Sequence, residues 1–181
     1  MLSPDVRAGR DSGRSAKMKV LTCATFVCLA FGSQAVAQQT RDADVIGPIH
    51  KFIDSFDKGD GAAAAATYAS TDDLVIIDEV PPFVWHGTNA FQAWSSAVGA
   101  ESKKAGITSA KVTLGGPARV ERDGDQAYVV VPATYSFTQG GKAMREPAHM
   151  SFVLKKDAGG AWLIHAWAWA GPKAPAATTS K

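Results

Sequence analysis

The sequence predicts an α+β fold: a cone-shaped roll in which three N-terminal helices pack with a strongly curved antiparallel sheet around a cavity. Two observations indicate this class. Apolar residues recur with helical spacing in the first half of the chain, and they alternate with a period of two in the second half. The long predicted strands also follow one another without helical crossovers. That order excludes a doubly wound parallel sheet.

The first helix is predicted by apolar residues that share one helical face from Asp44 onward. Asp42 or Asp44 would cap this helix, and Gly59 would end it. Asp60 would then cap a short helix that runs through the alanines at 62–66 to Tyr68. The apolar positions of the first helix are Val45, Ile46, Ile49, Phe52, Ile53 and Phe56.

A β-rich run at residues 74–78 predicts the first strand, because two prolines that follow it shortly afterwards would close the strand. The third helix is predicted to open after Gly87 and to end near Gly99. This helix would bury one apolar face against the sheet. Its apolar positions at helical spacing are Phe91, Trp94 and Val98.

Four long strands are predicted beyond Gly106, where the apolar period becomes two. Glycine-containing turn signals separate them, so we expect an antiparallel meander. The glycines at 115–116 and Pro132, which cannot donate a ladder hydrogen bond, predict bulges or a bend. Residues 172–181, rich in Pro, Ala, Thr and Ser, predict a disordered tail. The predicted strands cover residues 111–122, 126–138, 143–156 and 161–170.

Residues 1–37 have the organisation of a secretory signal peptide. Two lysines precede an apolar run at residues 20–31, and an Ala-Val-Ala triplet ending at Ala37 offers a cleavage site. The run is too short to cross about 30 Å of hydrocarbon. We therefore expect a periplasmic or secreted protein, cleaved after Ala37, with no membrane contact after cleavage. Met18 is a more typical start than Met1, so residues 1–17 are expected to reflect a start assigned too early.

The composition of the chain argues against two classes of function. The chain has 181 residues, of which 46% are hydrophobic and 20% charged, as in a single globular domain. Residues 1–37 hold five of the 19 Lys and Arg but only two of the 17 Asp and Glu, so the remainder is nearly neutral. Without a concentrated basic face, no nucleic-acid partner is expected. Both cysteines, Cys23 and Cys28, would be lost on cleavage, which excludes thiol chemistry.

Several short features occur in a fixed order along residues 42–171. They are Gly59-Asp60 after an amphipathic helix, Tyr68 with Asp72-Asp73 before the first strand, Gly87 before the third helix, and the Trp-rich ending at residues 160–169. This ordered set resembles the nuclear transport factor 2-like superfamily, in its SnoaL-like and ketosteroid isomerase-like branch. The resemblance implies one SnoaL-like domain over residues 42–171, a small-molecule ligand and a homodimer.

Ketosteroid isomerases use an Asp base together with a Tyr and a protonated Asp that bind the oxyanion. The resemblance implies that Asp78 is the base, because two acids and four further residues precede it as in the family pattern. The Tyr position is Phe52, so that donor is missing. The protonated acid would lie near His149, where no carboxylate is present. Ketosteroid isomerisation by that mechanism is therefore not expected.

Asp78 and His165 are the main catalytic candidates. Burial of Asp78 at the cavity mouth would raise its pKa and suit it to proton exchange, whereas a solvated strand-end acid is the structural alternative. A period of two places His165, Trp167 and Trp169 on one face of the last strand. The resemblance implies that this face lines the cavity. A histidine bound to a neighbouring carbonyl is the alternative for His165.

Further candidates come from the remaining polar and aromatic residues. His149 replaces the family acid by position and is the third catalytic candidate, while His50 would lie beside the apolar stripe of the first helix. Arg145 and Glu146 are interpreted as an exposed cross-strand pair. The histidines come from separate elements without metal-ligand spacing, so we expect no metal and no cofactor. The expected ligand-binding residues are Phe52, Tyr68, Trp85, His86, Tyr135, Trp167 and Trp169.

Two functions remain open from the sequence. One is an exported binding protein whose cavity holds a small apolar or aromatic molecule. The other is a cofactor-independent isomerase, dehydratase or lyase in which Asp78 and a histidine transfer protons. An Asp78 carboxylate close to an imidazole inside the cavity would favour the enzyme. An Asp78 side chain turned to solvent would count against it.

Overall fold

The computed structural model describes the backbone of residues 29–172 and the side chains of residues 42–172. Most of the predicted signal peptide and residues 173–181 of the predicted tail lie outside the described residues. The described part forms three helices and seven strands. They are α1 (Leu29–Asp57), α2 (Gly61–Ala65), β1 (Val75–Ile77), β2 (Val84–His86), α3 (Ala90–Ala105), β3 (Ile107–Leu114), β4 (Arg119–Asp123), β5 (Gln126–Gln139), β6 (Lys142–Lys156) and β7 (Trp162–Ala170).

The strands form one sheet in the order β2-β1-β7-β6-β5-β3, and β4 also pairs with β5. Strands β5, β6 and β7 form the predicted antiparallel meander. Strand β1 joins the sheet parallel to β7, and β2 pairs with β1 in the antiparallel direction. The α+β class, with helices packed on a curved and unclosed sheet that is mostly antiparallel, is confirmed.

The predicted strand at residues 111–122 is two strands, because the chain leaves the sheet between Leu114 and Arg119. Pro132 lies opposite this gap and does not interrupt the β5–β6 register, in which it pairs with His149. Its carbonyl oxygen accepts a 2.8 Å hydrogen bond from the Gly115 N–H. In an antiparallel strand the N–H and C=O of a residue face the same neighbour. The position of the missing N–H of Pro132 therefore faces the end of β3, where the ladder stops. The hydrogen bonds between β5 and β6 do not need this N–H.

Several elements differ from the sequence prediction. Helix α1 continues back to Leu29, so neither Asp42 nor Asp44 caps it. Helix α3 passes through Gly99 and ends at Gly106, which adopts the left-handed conformation with φ of 65°. The short strand β2 was not predicted, because three residues are too few to show an alternating pattern. Asp60 caps α2 as predicted, since its carboxylate accepts a 2.9 Å hydrogen bond from the Ala63 N–H, but α2 ends at Ala65 and not at Tyr68.

The core lies between the helices and the inner face of the sheet. The apolar stripe of α1 is buried as predicted, and Val45, Ile49 and Phe52 are at most 1% exposed. Alternate residues of β5 and β6 meet this stripe from the sheet, among them the fully buried Val129 and Phe152. This packing fixes α1 above the sheet and leaves a cavity beside it, towards α3 and β3.

Strand β7 contains a bulge that changes its inward face. Val153 of β6 pairs with Ala166, but the next residue, Leu154, pairs with Ile164. His165 is therefore an extra residue in the ladder. Before the bulge Ile164 is buried, and after it Trp167 is buried. His165 and Trp167 consequently do not share one face in the way that a strict period of two predicts.

Candidate functional site

A cavity of about 390 Å³ lies between α1, α3, β3 and the inner face of the sheet. Its wall is mainly aromatic and apolar. Exposed residues at its mouth include Glu79, Ala110 and Lys111. The aromatic residues on the wall are Phe52, Phe56, Trp94, Tyr135, Trp167 and Trp169, and Val98, Val112 and Met150 add aliphatic surface.

The aromatic side chains support one another. The Trp94 and Trp167 rings meet edge to face, with centroids 5.0 Å apart and an interplanar angle of 87°. Phe56 lies 4.8 Å from Trp94, and Phe52 lies 5.9 Å from Trp167, both between ring centroids. Such pairs gain about 0.5–1.5 kcal/mol beyond the area they bury. The helix side and the sheet side of the wall are thus held in a defined shape without a ligand.

Asp78 follows β1 and lies on the cavity wall. Its Oδ2 accepts a 2.5 Å hydrogen bond from the Trp94 indole N–H, and its Oδ1 accepts one of 2.6 Å from the Glu79 N–H. Burial raises the pKa of Asp78 above its usual value; the two hydrogen bonds oppose this shift and the charge of Glu146 adds to it. The Asp78 side chain is therefore neither turned to solvent nor paired with an imidazole.

Tyr135 of β5 and Glu146 of β6 are directly opposite each other in the sheet. Tyr135 lines the cavity, and burial raises the pKa of its hydroxyl, an effect that the Ser102 hydroxyl opposes. The expectation that Glu146 is part of an exposed pair with Arg145 is wrong, because Glu146 is only 6% exposed. In β6 it has the same parity as the buried Ala148 and Met150, so it points to the inner face.

The structure places His165 away from the cavity. Because of the bulge, its Nδ1 lies 3.4 Å from a carboxylate oxygen of the exposed Asp73, which also pairs with Lys155 at 2.7 Å. Burial lowers the pKa of His165, and the charge of Lys155 lowers it further. The nearby Asp73 opposes both effects. The prediction that His165 shares the cavity face with Trp167 and Trp169 does not hold.

The other three histidines are exposed. His149 has the opposite parity to Met150 in β6 and therefore points outward. His86 ends β2 with its side chain outward, and His50 lies on the solvent side of α1. All four histidines of the sequence belong to the described part of the chain, and none lines the cavity. The enzyme hypothesis therefore loses its expected imidazole partners.

Tyr68 and Trp85 are part of the core and not of the cavity wall. The Tyr68 ring packs edge to face on Phe52, with centroids 5.1 Å apart. Burial raises the pKa of the Tyr68 hydroxyl well above its usual value, and the Trp167 indole opposes only part of this rise. Trp85 is 7% exposed and pairs with Ile76 across β1 and β2. Both side chains pack in the core, on the side of the wall residues that faces away from the cavity.

The described residues include neither a cluster of metal ligands nor a helix that could span a membrane. No cluster of three or more His, Cys, Asp or Glu side chains there has an arrangement that could hold a metal ion. No helix in residues 29–172 is both long and apolar enough to span a bilayer.

Sequence reasoning missed two residues of this region. Helical spacing indicates Trp94 only as an apolar position of the third helix, whereas its indole N–H donates a hydrogen bond to Asp78. Glu146 was assigned to the surface, although the alternation through Ala148, Met150 and Phe152 contained the signal for an inward position. The hydrogen bond from Trp94 to Asp78 joins residues that are sixteen positions apart, so no local pattern could reveal it.

Comparisons with known proteins agree with this architecture. A protein from Salmonella enterica serovar Typhimurium in the nuclear transport factor 2-like superfamily has a TM-score of 0.59 and 14% identity, covering 82% of this chain and 99% of its own. A ketosteroid isomerase-like protein from Erwinia carotovora atroseptica has a TM-score of 0.56 and 19% identity, covering 72% and 95%. A scytalone dehydratase-like protein from Novosphingobium aromaticivorans has a TM-score of 0.61 and 10% identity, covering 78% and 90%. At these identities the likeness shows the fold alone.

A search of curated proteins found no match. The model of the SnoaL-like domain matches residues 48–167. This range begins in α1, contains β1 to β6 completely and ends in β7. It includes Asp78, Glu146 and the aromatic wall up to Trp167. Because the match covers well over half of the sequence and the meander as far as Trp167 in its final strand, the chain belongs to the SnoaL-like domain family.

Proposed function

We propose that the protein binds a small organic molecule with an apolar or aromatic body in the cavity between α3 and the sheet. The observation that carries this proposal is the Asp78 carboxylate, held by the Trp94 indole N–H within an aromatic wall. The cavity volume of 390 Å³ lies in the range of roughly 300–1,000 Å³ that is usual for ligand sites. Aromatic faces would bind the body of the molecule, and Asp78 would accept a hydrogen bond from it.

Ligand capture from a metabolite extract tests this proposal. The protein is incubated with the extract, exchanged into buffer and denatured, and the released small molecules are identified by mass spectrometry. We expect an enriched compound with an aromatic or alicyclic body. The matched control is a Val98→Trp variant, which fills the cavity with an indole ring. Equal capture by both proteins, or no enriched compound, contradicts the proposal.

Proton-transfer catalysis is the second candidate. Its support is the raised pKa of Asp78, which burial produces inside an apolar cavity, together with the Tyr135 hydroxyl on the same wall. Asp78 would remove a proton from carbon and Tyr135 would donate a hydrogen bond to the oxygen that gains charge. Such a site would carry out a cofactor-independent isomerase, dehydratase or lyase reaction, without a histidine.

Hydrogen–deuterium exchange at an acidic C–H bond tests the catalytic candidate. The probe is 2-indanone, an aryl-fused ketone, followed by NMR in heavy water. An enzyme would accelerate the exchange, and Asp78→Asn would remove the acceleration while 2-indanone still quenched the tryptophan fluorescence. An exchange rate equal to that of buffer contradicts catalysis on this substrate class and leaves the binding proposal standing.

Export and dimerisation belong to the same proposal. The lysine-flanked apolar run and the small residues before Ala37 support secretion to the periplasm or medium. Mass spectrometry of the exported protein should find an N-terminus at Gln38; an uncleaved cytoplasmic protein contradicts export.

Membership of the family supports a homodimer. Sedimentation should give twice the monomer mass, and a monomer at all concentrations contradicts the dimer.

A further inference from the structure

The charged residues of the cavity are mostly acidic. Lys111 is the single basic residue on the wall as described, and it is exposed at the mouth. One of the acids, Glu101, pairs with Lys104 on the solvent side at 3.3 Å. Lys111 opposes the rise in the pKa of Asp57, whereas no ammonium or guanidinium group in residues 42–172 forms an ion pair with Asp78. The acidic residues on the wall are Asp57, Asp78, Glu79 and Glu101.

Asp78 is the deepest of these carboxylates. Its two hydrogen-bond donors, the Trp94 indole and the Glu79 backbone, are both neutral. Within residues 42–172 it forms no ion pair. Glu146, buried on the inner face of the sheet opposite Tyr135, contributes to the rise in the pKa of Asp78. A ligand with a positive charge would thus be attracted to Asp78, a carboxylate with no ion pair among the described residues.

The aromatic wall favours the same kind of ligand. The face of an indole or phenol ring attracts a cation, and recognition of quaternary ammonium groups by several aromatic side chains is a common use of this attraction. Trp94, Trp167 and Trp169 line the cavity together with Tyr135. Trp94 also holds Asp78, so ring faces and carboxylate converge on one volume. A neutral hydrocarbon would use the rings but gain nothing from the carboxylates.

We propose that the cavity selects organic cations: molecules with an aromatic or aliphatic body whose ammonium group lies among the tryptophan rings beside Asp78. This inference rests on the proposed binding function and names the chemical class of its ligand. The cation replaces the counter-charge that the described chain does not supply to Asp78. The apolar body of the ligand occupies the aliphatic surface of Val98, Val112 and Met150.

A matched pair of probes isolates the charge. Benzyltrimethylammonium and neopentylbenzene have nearly the same shape, and they differ in the positive charge on the nitrogen that replaces a carbon. Binding of each is followed by quenching of tryptophan fluorescence, since three of the five tryptophans line the cavity. We expect the cation to bind about tenfold more tightly, as one cation–π contact and one desolvated charge pair together predict.

Asp78→Asn keeps the shape of the side chain and removes its charge. We expect it to weaken binding of the cation about tenfold and to change binding of neopentylbenzene by less than about twofold. Glu79→Gln, at the exposed mouth, provides a second variant that leaves the interior packing intact, with a smaller loss for the cation. The matched control is Asp125→Asn, an exposed carboxylate that does not line the cavity, and it should change neither affinity.

The outcomes separate this inference from the function on which it rests. Equal or tighter binding of neopentylbenzene, with no effect of Asp78→Asn on the cation, overturns the selection of cations and leaves the binding of apolar molecules intact. Absence of binding by both probes contradicts both proposals. Loss of both affinities in Asp78→Asn, with retained circular dichroism, also overturns the inference, because it assigns Asp78 to the shape of the cavity and not to its charge.

Discussion

Asp78 is a carboxylate that folding makes less acidic. Burial raises its pKa above the ordinary value of 3.8, and the Trp94 and Glu79 hydrogen bonds reverse only part of that shift. In the pH range between the unfolded and the folded pKa, the folded protein binds more protons at this site than the unfolded chain. The contribution of Asp78 to stability therefore decreases as the pH rises through that range.

Asp78→Asn removes this dependence, because an amide does not titrate. We expect the free energy of unfolding of the variant to increase relative to the wild type as the pH rises from about 4 towards neutrality. Urea denaturation of both proteins at several pH values measures the difference between their free energies of unfolding. The contributions of the other titratable groups are the same in both proteins and cancel in this difference. A difference that stays constant with pH contradicts the raised pKa of Asp78.

His165 lies beside the exposed Asp73, so its side chain has no route to a ligand in the cavity. His165→Gln should therefore leave the affinity for any cavity ligand within about twofold of the wild type. Trp169→Leu provides the contrast, since it removes a ring from the wall and should weaken binding of the same ligand about fivefold. Fluorescence titration with one ligand measures both. A large loss in His165→Gln would mean that the bulge in β7 is not formed.

At the scale of elements, the sequence predicts what depends on neighbours along the chain. The buried stripe of α1 and the Asp60 cap follow from helical spacing and capping chemistry. The inward face of β7 does not, because one extra residue at His165 shifts the alternation and its position depends on pairing with β6. A period of two is a reliable guide only between bulges. The same limit explains why Trp167 lines the cavity while His165 does not.

Helix α3 has one glycine inside it and another as its C-cap, and their substitutions should have opposite effects. Gly106 ends the helix with φ of 65°, a conformation that a side chain disfavours. Gly99 lies inside the helix, where an added Cβ would meet no atom within 4 Å. We expect Gly106→Ala to lower the free energy of unfolding by about 1 kcal/mol and Gly99→Ala to raise it by about 0.5–1 kcal/mol. Urea denaturation measures both; equal effects of the same sign contradict this assignment of the helix end.

At the scale of the molecule, the order of helical and alternating segments was enough to predict the fold class. The cavity has a different origin. Its volume and the approach of Trp94 to Asp78 depend on how α3 packs over the sheet, and these contacts join residues far apart in the chain. The aromatic character of Trp167 and Trp169 on the wall was predictable from the composition of the last strand. The acidic character of the interior was not predictable in this way, because the sequence alone favours a surface position for Glu146, which is buried.

The boundary of the folded unit gives the last prediction. Helix α1 is continuous across the predicted cleavage site after Ala37. Among the residues whose side chains are described, burial in α1 begins at Val45, which is fully buried. A chain that starts at Gln38 keeps this stripe and the 3.9 Å contact between Asp42 and Arg122. Its free energy of unfolding should therefore lie within about 0.5 kcal/mol of the full chain.

A matched control removes part of the stripe. A chain that starts at Gly47 lacks Val45 and Ile46, which are 0% and 9% exposed. Burial of one such side chain contributes about 1.5–3 kcal/mol, so this chain should lose at least about 3 kcal/mol. Urea denaturation of the two shortened chains and the full chain decides the matter. If the chain from Gln38 were destabilised as strongly as the chain from Gly47, residues before the cleavage site would belong to the folded domain, and export with cleavage after Ala37 would leave an incomplete fold.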